Sequence, residues 1–260
     1  MDGAEHFFAL HAGLPKQGPG SDASTARALA LCAAAPGWPA RHPARAVDMG
    51  CGPGRQTVEL ARLTGGTVHA LDLHGPFLEE LAARAEAAGV GAQVLPEEAS
   101  MLGWEPPDGP LDLVWCESAV YSVGFDAALA DWRRLLAPGG CLAVSELSWL
   151  EDEGPGAPAA DEEARAWWQA AYPALRADAA NRAALADAGF ELLGSFPLPV
   201  EDWTDGYYDE LAARVARFRG EWTDPAALAV LDESEEEQAM FRRAQPGMAY
   251  VFYVARRPLT

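Results

Sequence analysis

The chain is almost without lysine. Lys16 is the only one, and 19 basic residues stand against 39 acidic ones, for a formal charge of −20. Nucleic-acid partners select clustered Lys and Arg, so this balance disfavours them. Cysteine is also scarce. Cys32, Cys51, Cys116 and Cys141 are widely spaced and form no C-x-x-C pair, which argues against a disulfide framework or a zinc site and for a reduced, cytoplasmic setting. No apolar run is long enough to span a bilayer. The acidic opening Met1-Asp2-Gly3-Ala4-Glu5 lacks the charged-then-apolar order of a secretion signal, so no membrane partner is expected. There is no visible catalytic triad and no internal repeat.

Half of the 260 residues are hydrophobic, enough for one α/β domain with an appended cap. The organising stretch runs from Arg45 to Thr57. The apolar Ala46-Val47-Asp48-Met49 reads as a strand, Gly50, Cys51, Gly52 and Gly54 as a tight turn, and Gln56 and Thr57 as the start of a helix. Alternate glycines suit a turn with backbone angles closed to other residues and with a ligand close to the main chain. The helix start behind them offers free N–H groups. A dinucleotide fingerprint would need glycine where Arg55 stands, so a nicotinamide or flavin dinucleotide is disfavoured.

A second strand over residues 67–72 ends in Asp72, about 20 residues after Gly50, where α/β nucleotide sites place the acid that binds ribose hydroxyls. Leu73 and His74 follow it. Phe77, Leu78, Leu81 and Ala85 share a helical face closed by Gly89. Strand 92–95 leads to Ser100 and Met101, and strand 111–116 runs into Glu117 and Tyr121. A helix is registered by Phe125, Leu129, Trp132 and Leu136; Pro138-Gly139-Gly140 then turns into a strand over 141–145 that ends beside Glu146. This alternation predicts a doubly wound, mostly parallel sheet.

Residues 1–21 form an N-terminal segment. His6, Phe7, Phe8, Leu10 and His11 predict that it packs on the body, either as a lid bringing Gln17, Gly18 and Gly20 to a ligand or as a plain packed helix. Ser21 is placed to cap a helix reaching about residue 35. Residues 22–150 make the core and 151–260 the remaining strands with a cap. In that last part the acidic, Gly- and Pro-rich stretch 151–160 reads as a loop. Ala164 to Leu175 and residues 181–188 read as helices, and 190–196 and 249–254 as strands. The long insert between those strands predicts a cap over a pocket, with Trp203, Tyr207 or Tyr208 reaching it, while the acidic run 232–237 reads as a solvated face.

The glycine turn resembles motif I of class I S-adenosylmethionine-dependent methyltransferases, and Leu136-Ala137-Pro138-Gly139-Gly140 resembles that family's next most recognisable turn. The order Cys116-Glu117-Ser118-Ala119-Val120-Tyr121, then Ser145-Glu146-Leu147, with the Gln17-Gly18-Pro19-Gly20 loop, is similar to a bacterial, quinone-biosynthesis-like subgroup of small-molecule methyltransferases. The resemblance implies a Rossmann-like α/β fold, a seven-stranded sheet with its last strand antiparallel, and S-adenosyl-L-methionine as cofactor. It implies contact with that cofactor from Gln17, Gly18, Asp48, Gly50, Cys51, Gly52, Gly54, Gln56, Thr57, Asp72, Leu73, Ser100, Met101 and Glu117. Where the family usually carries an Asp near the adenine, this chain has Ser100 and Met101. In-line methyl transfer needs no side-chain nucleophile, and Glu117, Glu146 and Tyr121, followed by His11, are the candidates for assisting an acceptor's proton. The implied partner is a small-molecule methyl acceptor, and a homodimer is compatible with the family. A donor-binding module without transfer and a macromolecule methyltransferase are the competing readings.

Overall fold

The computed structural model describes residues 3–39, 44–150 and 161–259; the loop expected over 151–160 lies outside them. Helix α1 (Gly3–His11) and helix α2 (Asp22–Ala33) precede the sheet. Ser21 caps α2 as its sequence suggests, its Oγ accepting from Ser24 N–H at 3.2 Å. Then come β1 (Arg45–Met49), α3 (Arg55–Thr64), β2 (Thr67–Asp72), α4 (Gly75–Ala87), β3 (Val94–Glu98), β4 (Leu111–Cys116), α5 (Phe125–Trp132) and β5 (Leu136–Trp149). The C-terminal part holds α6 (Glu162–Ala171), the two-residue β6 (Arg176–Ala177), α7 (Asp178–Asp187) and β7 (Glu191–Pro197). It closes with the single turn α8 (Glu201–Trp203), α9 (Asp209–Glu221), α10 (Pro225–Ala244) and β8 (Met248–Arg256).

The sheet runs β3-β2-β1-β4-β5-β8-β7, with β6 paired to β5 off that path. All pairings are parallel except those of β8, which is antiparallel to both β5 and β7. Helices cover both faces. Period-two alternation therefore sends Ala46, Leu113, Trp115, Phe252 and Val254 into one core and Val47, Val114, Cys116, Tyr253 and Ala255 into the other. Every residue of β4 is buried, as a central parallel strand covered on both sides requires. The chain leaves β1 toward β2 on one side and returns to β4 on the other. The crevice at the carboxyl ends of β1, β2 and β4 is the switch point where such sheets take ligands.

Four expectations need correction. Pro138-Gly139-Gly140 is not a free turn before a strand but a bulge inside β5. The ladder jumps from Leu111↔Leu136 to Leu113↔Cys141, Gly139 sits at φ +80°, and its N–H reaches Arg257 O at 2.9 Å. The third strand begins at Val94 and runs to Glu98, not 92–95, because its pairing partner Asp72 draws the ladder on to Glu98. Helix α6 ends at Ala171, so Tyr172 is its cap and Leu175 falls in the turn into β6. The acidic run belongs to α10, and there Glu237 turns inward, half-buried, to accept a hydrogen bond from Tyr208 Oη at 2.6 Å. The insert between β7 and β8 packs through α10 onto α1 and α6, roofing the carboxyl ends of the strands. All four cysteines are free and buried. Among the described residues no helix is long and apolar enough to cross a membrane.

Candidate active site

The glycine corner is held from two sides. Gly50 N–H and Cys51 N–H both donate to Leu71 O at 2.9 Å, and Gly54 N–H donates to Cys51 O at 3.1 Å. Gly50 needs its small size, since at φ +72° a Cβ would stand 2.6 Å from Ala119 Cβ. At Gly52 (φ +53°) a Cβ would meet only Gln17 Cγ at 3.6 Å, so this position presents bare backbone to the crevice. Asp72 closes the corner, with Oδ2 accepting from Gly52 N–H and Oδ1 from His74 N–H, each at 2.9 Å. Each carboxylate oxygen has a second lone pair left for a ligand hydroxyl.

These groups bound a cavity of about 410 Å³. Of the sequence-derived candidates, Gln17, Gly18, Gly50, Cys51, Gly52, Gln56, Asp72, Leu73, Ser100, Met101, Glu117 and Tyr121 line it. Asp48, Gly54, Thr57 and Glu146 line neither this cavity nor its neighbour. Asp48 is fully buried beneath the corner and accepts from Thr57 Oγ1 at 2.6 Å, tying β1 to α3. Burial raises its carboxyl to about 7, opposed by that hydrogen bond. Gly54 is glycine for packing: a Cβ there would stand 2.0 Å from Leu81 Cδ1, and φ is +81°.

Glu117 lies at the tip of β4. Thr25 Oγ1 (2.6 Å) and Trp115 Nε1 (3.0 Å) donate to Oε1, and Arg55 Nη2 (2.8 Å) donates to Oε2. Burial pushes its pKa up, and Arg55 pulls it back. Three donors hold the anion, which makes Glu117 an electrostatic anchor and not a free base. Ser118 follows at φ +54°, a strained backbone for a serine, with its N–H on Ser145 Oγ (2.8 Å) and its Oγ on Pro19 O (3.0 Å). A Cβ on Gly18 would approach Ser118 Cβ to 2.9 Å, so the N-terminal loop sits directly on this residue.

Some lining residues had no usable sequence signal. Phe8 from α1 stacks on His74 at 3.9 Å and meets Phe77 edge-on at 6.0 Å, and Phe8 and Phe77 both face the cavity. Lys16 also lines it, donating to Asp202 O at 2.7 Å; its pKa falls to about 8, chiefly through burial and then through Arg55. Thr25 and Arg55 reach Glu117 only through tertiary packing.

A second cavity of about 450 Å³ adjoins the first across Phe7, Gln17, Gly18, Pro19, Ser118 and Tyr121. The insert supplies Trp203 and Tyr207 to its wall, but Tyr208 is withdrawn behind it. Glu146 touches this space only indirectly, through Tyr172 Oη, which donates to its Oε1 at 2.7 Å. Its Oε2 is buried without a partner among the described residues, and burial raises the carboxyl to about 7. Among the described residues no cluster of His, Cys, Asp or Glu could hold a metal ion.

The strand order, the glycine corner over β1 and the acid at the tip of β2 define a Rossmann-like α/β domain. Residues 46–140 match the family model of a methyltransferase domain. A trans-aconitate 2-methyltransferase of Methylobacterium nodulans is 37% identical over 116 residues, covering 44% of this chain and 42% of that protein. The 27-O-demethylrifamycin SV methyltransferase of Amycolatopsis mediterranei is 27% identical over 85% of this chain and 79% of its own length. The chain thus matches less than half the length of the first of these relatives and most of the second. An SAM-dependent methyltransferase from Thiobacillus denitrificans, solved with S-adenosyl-L-homocysteine, shares the fold at a TM-score of 0.79 and 20% identity, over 98% of this chain and 99% of that one.

Proposed function

We propose that this chain transfers a methyl group from S-adenosyl-L-methionine to a small-molecule acceptor. The carrying observation is the corner in which Asp72 bridges Gly52 and His74 at the mouth of a cavity that opens onto a second, aromatic one. The donor suits the residues present. Asp72 has lone pairs free for two ribose hydroxyls, Gly50 and Gly52 let the donor approach the backbone, and Phe8, Phe77 and Met101 give an apolar slot for adenine. Glu117, with Arg55 beside it, is placed for the zwitterionic amino-acid end.

When bound, the donor supplies a sulfonium methyl. The chain's own part is to fix the donor's orientation, keep water from the junction at Ser118 and Tyr121, and hold the acceptor in the aromatic chamber. The size of that chamber suits a small acceptor and not a polymer.

Calorimetry with S-adenosyl-L-homocysteine tests the reading: a dissociation constant on the order of micromolar is expected. No heat at about millimolar ligand would refute it. Consumption of the donor with an acceptor panel separates transfer from donor binding alone, because a binding module leaves the donor intact with every acceptor.

A further inference from the structure

The second chamber has a distinctive chemistry. Tyr121, Trp167, Trp168, Tyr172, Trp203 and Tyr207 supply much of its wall, and Glu233 and Glu237 bring two carboxyl groups to it. Among the described residues, no lysine or arginine lines it. The indole Nε1 atoms of Trp168 and Trp203 are buried and do not reach its surface, so the rings present their faces and edges rather than their donors. Glu237 Oε1 is held by Tyr208 Oη, so the carboxyl group has a fixed orientation.

His11, 3% exposed, also faces this space. Its Nδ1 lies 2.9 Å from Phe7 O, and a carbonyl only accepts, so the proton sits on Nδ1. Nε2 keeps its lone pair and has no partner among the described residues. The ring is clamped against Phe7 at 4.1 Å. Arg214 from α9 acts on it electrostatically, while Glu233 and Glu237 from α10 and Tyr121 from the loop after β4 line the same chamber. Burial, and then Arg214, lower its pKa against the pull of the Phe7 carbonyl, so the imidazole is neutral near pH 7.

We propose that this chamber receives an amine carried on an apolar or aromatic body, and that His11 Nε2 takes the proton the nitrogen must shed before it attacks. The inference rests on the donor reading above and names its acceptor class. An ammonium group uses both features of the chamber, the aromatic faces by cation–π attraction and the carboxylates by charge. A carboxylate or phosphate would lose its hydration with no cation to replace it and would face Glu237 and Glu233. A phenol could stack on the rings and donate to a carboxyl but carries no positive charge to gain from cation–π attraction or from the carboxylates. The amine binds as its ammonium, which the carboxylates and ring faces favour, so the free amine is a minor form that is drawn off as it attacks. It passes one proton to His11, giving a free amine and an imidazolium. The nitrogen lone pair then forms the N–C bond as the C–S bond breaks, the pair leaving on sulfur to give the thioether. The product is a methylated ammonium that the rings and Glu237 still hold, and His11 returns its proton to solvent.

Two probes of similar shape and opposite charge, tryptamine and indole-3-propionate, test this by calorimetry on the full chain saturated with S-adenosyl-L-homocysteine. Tryptamine is expected to bind at least about tenfold more tightly, and Glu237→Gln to remove about fivefold or more of that affinity. His11→Gln should leave tryptamine binding within about twofold, while methyl transfer to tryptamine slows by about 10²-fold or more and its rise with pH moves to higher pH. Unchanged affinity for S-adenosyl-L-homocysteine in both variants shows that the fold is intact. Equal or tighter binding of indole-3-propionate, binding of neither probe, or an unshifted pH profile in His11→Gln overturns the proposal and leaves the donor reading standing. Absence of heat with S-adenosyl-L-homocysteine removes both.

Discussion

Replacing Asp72 by asparagine keeps the side chain's shape and removes its charge, which isolates the role of the carboxylate at the corner. In the native arrangement Oδ2 accepts from Gly52 N–H and Oδ1 from His74 N–H. Asparagine offers one oxygen and one NH₂, so one of these two backbone donors must face another donor. That conflict costs about 1–3 kcal/mol, and the corner relieves it by shifting away from the geometry a ligand needs. Two ribose hydroxyls would also exchange a charged acceptor for a neutral one or a donor, a loss of about 1 kcal/mol each. The part of the first cost recovered by relaxation reappears on binding, giving a total of about 2–4 kcal/mol, or roughly 30- to 1,000-fold in dissociation constant. Calorimetry with S-adenosyl-L-homocysteine reads it directly, with circular dichroism to verify folding. An affinity within about threefold of the native value would refute the assignment of Asp72 to the ribose.

Gly54→Ala should destabilise the protein without touching the ligand. The left-handed φ of +81° and the Cβ that would stand 2.0 Å from Leu81 Cδ1 together cost about 2–5 kcal/mol, a fall in Tm of roughly 5–15 °C by scanning calorimetry. A shift below about 2 °C would show that the α3 start can move away from α4. Glu146→Gln should change how stability varies with pH. The folded carboxyl keeps its proton to about pH 7 and the unfolded one only to about 4.5, so the folded state binds more protons between those values and loses stability as pH rises through them. Above pH 7 the deficit reaches about 3 kcal/mol, which the variant removes. Denaturant titrations at pH 5 and pH 8 that change equally in both proteins would contradict this. Glu117→Gln leaves Arg55 without its buried partner, so stability should fall by about 3 kcal/mol with weaker donor binding and no shift in the pH profile of methyl transfer. A lost pH limb would instead make Glu117 the base.

The sheet was legible because its signals are local. The stretch around Val47, the run Thr67–Asp72 and the buried β4 each declare strand by β-branched or apolar runs between glycines, and the connections leave a doubly wound sheet as the arrangement they fit. The errors fall where a tertiary contact overrides a local signal. Pro138-Gly139-Gly140 looks like a turn, yet the ladder to β4 and the bond from Gly139 to Arg257 hold it inside a strand. Tyr172 and Leu175 continue the apolar spacing of α6, but pairing of Arg176 with Ser148 pulls the chain out of the helix.

The two cavities divide along the same line. Most of the proposed donor side comes from residues next to strand ends, so Gly50, Gly52 and Asp72 could be named from order and spacing, and Met101 and Glu117 from the family resemblance. Asp48 and Thr57 follow the same pattern but Thr57 Oγ1 is spent on Asp48 Oδ2, a pairing that spacing cannot distinguish from ligand contact. The acceptor side has no such grammar. His11 in α1, Trp168 in α6, Tyr207 before α9, Glu237 in α10 and Tyr250 in β8 meet only because the insert folds back over the sheet and packs on α1 and α6. His11 and Tyr207 carry a signal, from the N-terminal segment and the long insert, but Trp168, Glu237 and Tyr250 each read as an ordinary core aromatic or surface acid. On the proposed reading the donor is read from short motifs, while acceptor choice is dispersed over helices that can change without disturbing the sheet. Substitutions at residues that line the second chamber alone, such as Trp168 or Tyr250, should therefore redirect acceptor selection while leaving affinity for S-adenosyl-L-homocysteine unaltered.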